Sequence, residues 1–130
     1  MSTVLVVDDE ASARRALMRL LAKEGYETVE AGDGREALDA LAASAAPGAK
    51  PPDVILLDLM MPGMDGLELL EALQRHAQWK ALPVVVLTAL SDTHTVNRAQ
   101  QLGAKAYLVK ATFSVAEMLD HVRRYADGHA

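Results

Sequence analysis

The chain has 130 residues, a formal charge of −5 and no cysteine, which excludes a disulfide framework, a thiol nucleophile and a thiolate metal centre. With 51% hydrophobic and 24% charged residues it reads as one globular domain over residues 1–130, large enough to bury about 70% of its unfolded surface. No run of Lys or Arg supplies the basic patch that direct nucleic-acid binding needs. No stretch is apolar enough to span a bilayer, and Val4–Val7 is too short and too quickly acidic for a signal peptide, so a soluble cytoplasmic protein is expected.

The first predicted element is a strand, Val4-Leu5-Val6-Val7, ended by Asp8 and Asp9. A helix follows with Ala13, Ala16, Leu17, Leu20 and Leu21 on its apolar face and Arg14, Arg15, Arg19 and Lys23 on the other, stopped by Gly25. Residues 26–31 alternate as a half-exposed edge strand. Asp33 and Glu36 have capping-box spacing at the start of a helix through Ala37, Leu38 and Leu41. The low-complexity segment 43–52 is a flexible connection from a helix end to a strand start.

The next strand, Val54-Ile55-Leu56-Leu57, ends in Asp58, and Asp65 with Glu68 opens a helix carrying Leu67, Leu70 and Leu73 inward. Val84-Val85-Val86-Leu87 ends in Thr88, and residues 92–102 form a helix of weaker spacing stopped by Gly103. Ala106-Tyr107-Leu108-Val109 ends in Lys110, and Ser114 with Glu117 opens the last helix through Val115, Met118, Leu119 and Val122. Strands and helices alternate strictly, which predicts an α/β fold with a doubly wound parallel sheet and helices on both faces.

In open α/β sheets, ligands bind outside the carboxyl ends of the strands. Asp8, Asp9, Asp58, Thr88 and Lys110 all fall there. Three carboxylates brought together repel one another unless a counter-charge joins them, and a hard cation such as Mg²⁺ suits oxygen ligands and phosphate oxygens. Cation, lysine, hydroxyl and carboxylate make a site suited to phosphoryl transfer, with Asp58 as nucleophile and an acyl phosphate as product. Taken alone, Asp9 reads as a helix cap rather than a ligand, and Asp33, Asp65 and Asp92 read as caps. The four histidines, His76, His94, His121 and His129, lack metal-ligand spacing and read as surface residues. No phosphate-cradling glycine loop is present, so nucleotide binding has no support.

Four segments carry a resemblance: Val4-Leu5-Val6-Val7-Asp8-Asp9-Glu10, Leu56-Leu57-Asp58-Leu59-Met60-Met61-Pro62-Gly63-Met64-Asp65-Gly66, Pro83-Val84-Val85-Val86-Leu87-Thr88-Ala89 and Gly103-Ala104-Lys105-Ala106-Tyr107-Leu108-Val109-Lys110. In this order and spacing the chain resembles the receiver domains of response regulators, the CheY-like family of two-component signalling, over essentially its whole length. The resemblance implies a five-stranded flavodoxin-like sheet in the order 2-1-3-4-5 with five helices. It makes Asp58 the phosphoacceptor and Lys110 the partner of the phosphoryl group. It makes Asp8, Asp9, Asp58 and the backbone carbonyl of Met60 the Mg²⁺ ligands, and Thr88 and Tyr107 the switch pair. The implied donor is a phosphohistidine on a sensor histidine kinase or a histidine phosphotransfer protein. Phosphorylation would alter the face made by the fourth helix, fifth strand and fifth helix, which a downstream protein partner would read. Such a protein promotes its own phosphorylation and dephosphorylation and is not a conventional enzyme.

One departure stands out. The family usually has a cis proline directly after the lysine, where this chain has Ala111. A cis bond before alanine costs about 3–4 kcal/mol, against about 0.5–1 before proline, so the loop is either trans and reshaped or strained. Two rival functions remain. One is a degenerate receiver that binds proteins without phosphate. The other is a phosphatase of the haloacid-dehalogenase type, which wants an acid two residues after the nucleophile, where Met60 stands. A receiver excised from a larger protein is also compatible with the chain.

Overall fold

A computed structural model describes residues 2–127; His129 lies outside them. The elements alternate throughout: β1 (Thr3–Val7), α1 (Ala11–Lys23), β2 (Glu27–Ala31), α2 (Gly34–Ser44), β3 (Val54–Leu57), α3 (Gly66–Arg75), β4 (Val84–Thr88), α4 (Thr93–Gln101), β5 (Ala106–Val109) and α5 (Val115–Ala126). The strands form one parallel sheet in the order β2-β1-β3-β4-β5, the expected doubly wound arrangement.

The three central strands are apolar and buried on both faces, as parallel strands covered by helices must be. Their alternation divides the core in two. Leu5, Val7, Ile55, Leu57, Val84 and Val86 meet Ala37 and Leu41 of α2, Leu69, Leu70 and Leu73 of α3, and Ala99 of α4. Val4, Val6, Val54, Leu56, Val85 and Leu87 meet Leu17 and Leu21 of α1 and Met118, Val122 and Ala126 of α5. Each fully buried leucine or valine contributes roughly 1.5–3 kcal/mol. Both halves therefore hold the same strand ends in place.

Local chemistry sets the helix limits. Asp65 and Glu68 complete a reciprocal capping box on α3. Asp33 caps α2 through Glu36 N, but the Glu36 carboxylate turns to Gly32 N rather than Asp33 N, so only half of the expected box forms. Ser114 and Asp92 cap α5 and α4. α1 and α4 end in Schellman turns, in which Gly25 (φ +91°) and Gly103 (φ +96°) take the left-handed conformation that a side chain would oppose.

Four further sequence expectations need correction. Glu10, not Asp9, occupies the N-cap of α1, and no side chain caps that helix. Ala16 is exposed, because the buried stripe of α1 is narrow and rests on Leu17 and Leu21. Arg14 does not belong to the solvent face: its side chain is only 12% exposed and pairs with Glu30. His121 is half-buried rather than on the surface, and its Nδ1 is buried with no hydrogen-bond partner.

Candidate functional site

The carboxyl ends of β1, β3, β4 and β5 lie along one edge of the sheet, and there they open onto a cleft of about 690 Å³. Its polar lining includes Asp8, Asp9, Glu10, Asp58 and Lys110, while Met60, Met61, Pro62, Ala89 and Leu90 form an apolar wall. Asp8 and Asp58 are only 2% and 6% exposed, since each directly follows a strand covered on both faces. Asp9, one step further into the loop, is exposed. One carboxylate oxygen from each of Asp8, Asp9 and Asp58 falls within 4.8 Å of the others.

Hydrogen bonds fix the two buried acids. Asp8 Oδ1 accepts from Glu10 N and Asp58 Oδ1 accepts from Met60 N, each at 3.0 Å. Their other oxygens share one cation: Lys110 Nζ donates to Asp8 Oδ2 at 3.0 Å and to Asp58 Oδ2 at 2.9 Å. Burial works against the Lys110 charge, but the hydrogen bonds to Asp58 and Asp8, and then their charges, outweigh it and raise the ammonium above its ordinary pKa. Three carboxylates against one ammonium still leave a formal excess of negative charge. All the side-chain donors are hard oxygens, so the set fits a divalent cation of the Mg²⁺ type.

Asp8, Asp9, Asp58 and Lys110 are thus brought together as expected. Met60 is half exposed and touches the group through its backbone N–H. Thr88 is fully buried, and its Oγ1 accepts from Leu90 N at 3.5 Å rather than reaching Asp58. Tyr107 donates its hydroxyl to Leu90 O at 2.7 Å, which ties β5 to the loop after β4. Burial first, then the charges of Asp92 and Asp58, push its phenol pKa up.

The Lys110–Ala111 bond is trans, as are all peptide bonds among the described residues. The chain turns directly after it, with Thr112 N and Phe113 N both donating to Val109 O at 3.0 and 2.9 Å. Of the two conformations the sequence left open, this is the trans one. Lys110 N also donates to Thr88 O at 2.8 Å, so the lysine is anchored to β4 before its loop begins.

Two residues at this edge, Arg14 and its partner Glu30, were missed from sequence. Arg14 reaches the Asp8 carbonyl at 2.8 Å and the Glu30 carboxylate at 2.7 Å. In sequence Arg14 stands three and seven residues before Leu17 and Leu21, the spacing of the buried stripe, and this alone separates it from Arg15 and Arg19.

Among the described residues no helix is long and apolar enough to cross a membrane. Among curated proteins, the transcriptional regulatory protein PdtaR of Mycobacterium tuberculosis is 41% identical over 117 residues, covering 89% of this chain and 52% of PdtaR. Sporulation initiation phosphotransferase F of Bacillus subtilis is 33% identical over 122 residues, covering 94% and 91% of the two chains. The chain spans about half the length of PdtaR and of several other curated relatives it matches. Among solved structures, chemotaxis protein CheY4 of Vibrio cholerae superposes with a TM-score of 0.83 at 34% identity, over 96% of this chain and 98% of that one. The Mn(2+)-bound form of response regulator Rcp1 gives 0.78 at 26% identity, over 96% and 94%. The sequence profile of the response regulator receiver domain matches residues 4–123. That match runs from the first strand into the last helix, across every strand end that builds the cleft, and the chain therefore belongs to the response regulator receiver domain family.

Proposed function

We propose that this chain is a phosphoacceptor switch of a two-component or phosphorelay system, receiving a phosphoryl group on Asp58 from a phosphohistidine partner. The observation that carries the reading is one ammonium, Lys110 Nζ, shared by buried acids at the ends of β1 and β3. A carboxylate held in this way faces the cleft with its neighbours already ordered.

In the proposed step an Asp58 oxygen forms a bond to phosphorus while the P–N bond of the phosphohistidine breaks. The imidazole leaves with the electron pair and takes a proton from solvent. Lys110 exchanges part of its pairing with Asp58 for a phosphoryl oxygen. The carboxylates of Asp8, Asp9 and Asp58, with the Met60 carbonyl, would hold Mg²⁺, which when bound offsets charge on the phosphoryl oxygens. The fit of the donor set and the Mn(2+)-bound relative support that assignment.

The Thr88 hydroxyl then leaves Leu90 N for the phosphoryl group, and Tyr107 follows into the space vacated. The face made by α4, β5 and α5 changes with them. A downstream protein partner responds only if it binds one of the two states more tightly. The protein promotes its own phosphorylation and dephosphorylation without being a conventional multiple-turnover enzyme. A cytoplasmic sensor histidine kinase module or a histidine phosphotransfer protein is the protein donor this reading implies.

Intact mass after incubation with Mg²⁺ and a small-molecule acyl phosphate tests the proposal. A single phosphoryl gain, absent in Asp58→Asn and suppressed by a chelator, is the expected result. No gain under these conditions would instead favour a module that binds its partner without phosphate.

A further inference from the structure

The ladder between β1 and β2 ends at the pair Val7 and Ala31, with one last bond from Asp8 N to Ala31 O at 3.1 Å. Beyond it the two chains part. In this register the Asp8 carbonyl would next accept from Asp33 N, but Asp33 is the N-cap of α2 and makes no such bond, which leaves the carbonyl without a strand partner. Arg14 takes that carbonyl, with Nη1 donating at 2.8 Å while Nε donates to Glu30 at 2.7 Å. A planar guanidinium suits this double role, because its donors point along fixed directions.

The consequence falls on Asp9. The Asp8 carbonyl and the Asp9 N–H belong to one rigid peptide plane, so the bond that fixes the carbonyl also fixes where Asp9 starts. The Asp8 and Asp58 side chains are held by their own hydrogen bonds. The Asp9 carboxylate has no hydrogen bond or ion pair among the described residues, yet it comes within 4.8 Å of the other two. Its placement is set by main chain alone: Asp8 Oδ1 holds the peptide after Asp9 through Glu10 N, and Arg14 holds the peptide before it through the Asp8 carbonyl.

We propose that Arg14 is a positioning residue for the divalent-cation site, acting on Asp9 through the Asp8–Asp9 peptide and anchored in turn by Glu30. The inference rests on the reading of Asp8, Asp9 and Asp58 as cation ligands. It predicts a sign that simple electrostatics does not. Arg14 is a positive charge beside a cation site, so removing it would tighten cation binding if charge alone mattered. If Arg14 acts by position, removing it loosens binding, in line with the roughly 10–100-fold losses seen when outer partners of metal ligands are changed.

The test is Mg²⁺ affinity by calorimetry on the metal-free protein, with thermal unfolding followed in parallel to confirm that each variant is folded at the working temperature. Arg14→Met is expected to weaken Mg²⁺ by about tenfold. Arg14→Lys keeps the charge but loses the fork, and should weaken it at least threefold. In an Asp9→Asn background, Arg14→Met should have little further effect, because the ligand through which it acts is gone. A change of less than threefold in the folded variants, tighter binding, or an equal loss with and without Asp9 would overturn the proposal. If Arg14→Met does not fold, the lysine variant decides by the same threshold. Absence of Mg²⁺ binding by the wild-type protein would instead overturn the cation-site reading itself.

Discussion

Lys110 Nζ lies 2.9 Å from Asp58 Oδ2, although β5, which carries the lysine, and β3, which carries the aspartate, are separated in the sheet by β4. The lysine side chain spans the end of β4 to reach the acid and continues to Asp8. Lys110→Met would leave two buried carboxylates without their shared counter-charge. We expect the variant to be less stable than wild type without Mg²⁺ and to recover more of its thermal stability than wild type as Mg²⁺ is added. Phosphoryl transfer to Asp58 should nevertheless slow by about 10²–10³-fold, the loss typical of removing one donor to developing charge. Melting curves across a Mg²⁺ series, beside phosphorylation rates at saturating Mg²⁺, check both parts.

Gly66 opens α3 against the loop that leaves Asp58. A methyl group there would lie 2.5 Å from Leu59 Cα and 2.9 Å from Asp58 O, which are main-chain neighbours with no room to turn aside. Gly66→Ala should cost about 1–3 kcal/mol by overpacking and displace the loop that carries Met60. Denaturant unfolding gives the first quantity, and the rate of Asp58 phosphorylation reports the second.

The α3 cap offers a contrasting case. Asp65 accepts from Glu68 N at 2.9 Å and Glu68 accepts from Asp65 N at 3.3 Å. Asp65→Ala should destabilise the fold by about 1 kcal/mol, with Mg²⁺ affinity unchanged within twofold. Urea unfolding and calorimetry together distinguish this local loss from damage to the neighbouring site.

Two groups give pH dependence of opposite sign. Hydrogen bonds from the Thr95 side chain and backbone hold the Asp92 carboxyl below its ordinary pKa. The stabilisation it gives α4 is present above the unfolded value of about 3.9 and disappears as pH falls through the lower folded value. Tyr107 runs the other way. Its raised phenol pKa makes the associated stability complete below about pH 10 and lost as pH rises through the folded value. Carboxyl titration by NMR for Asp92, and ultraviolet difference titration of wild type against Tyr107→Phe, should show these two directions.

Much of this was legible in the sequence because strand ends in an alternating α/β chain have few places to go. Four apolar runs, each closed by a polar residue, define one sheet edge once the strands are parallel, and Asp8, Asp58, Thr88 and Lys110 are found there. The strand order itself came from the resemblance rather than from periodicity. What periodicity obscured were contacts set by three-dimensional approach. Arg14 sits at the border of the α1 stripe, where its charge argues for solvent, while the parting of β1 and β2 creates a carbonyl for it to serve. Capping signals likewise fixed where α2 begins, but not that Glu36 would prefer Gly32 N to its own cap.

The bond from Lys110 N to Thr88 O at 2.8 Å has a mechanical consequence. It joins the main chains of the two residues, so a displacement of the β4 end is passed to the root of the lysine. Under the proposed switch, the Thr88 hydroxyl and the Lys110 ammonium would be linked through the backbone as well as through Asp58. A β4 end held still would strand them both.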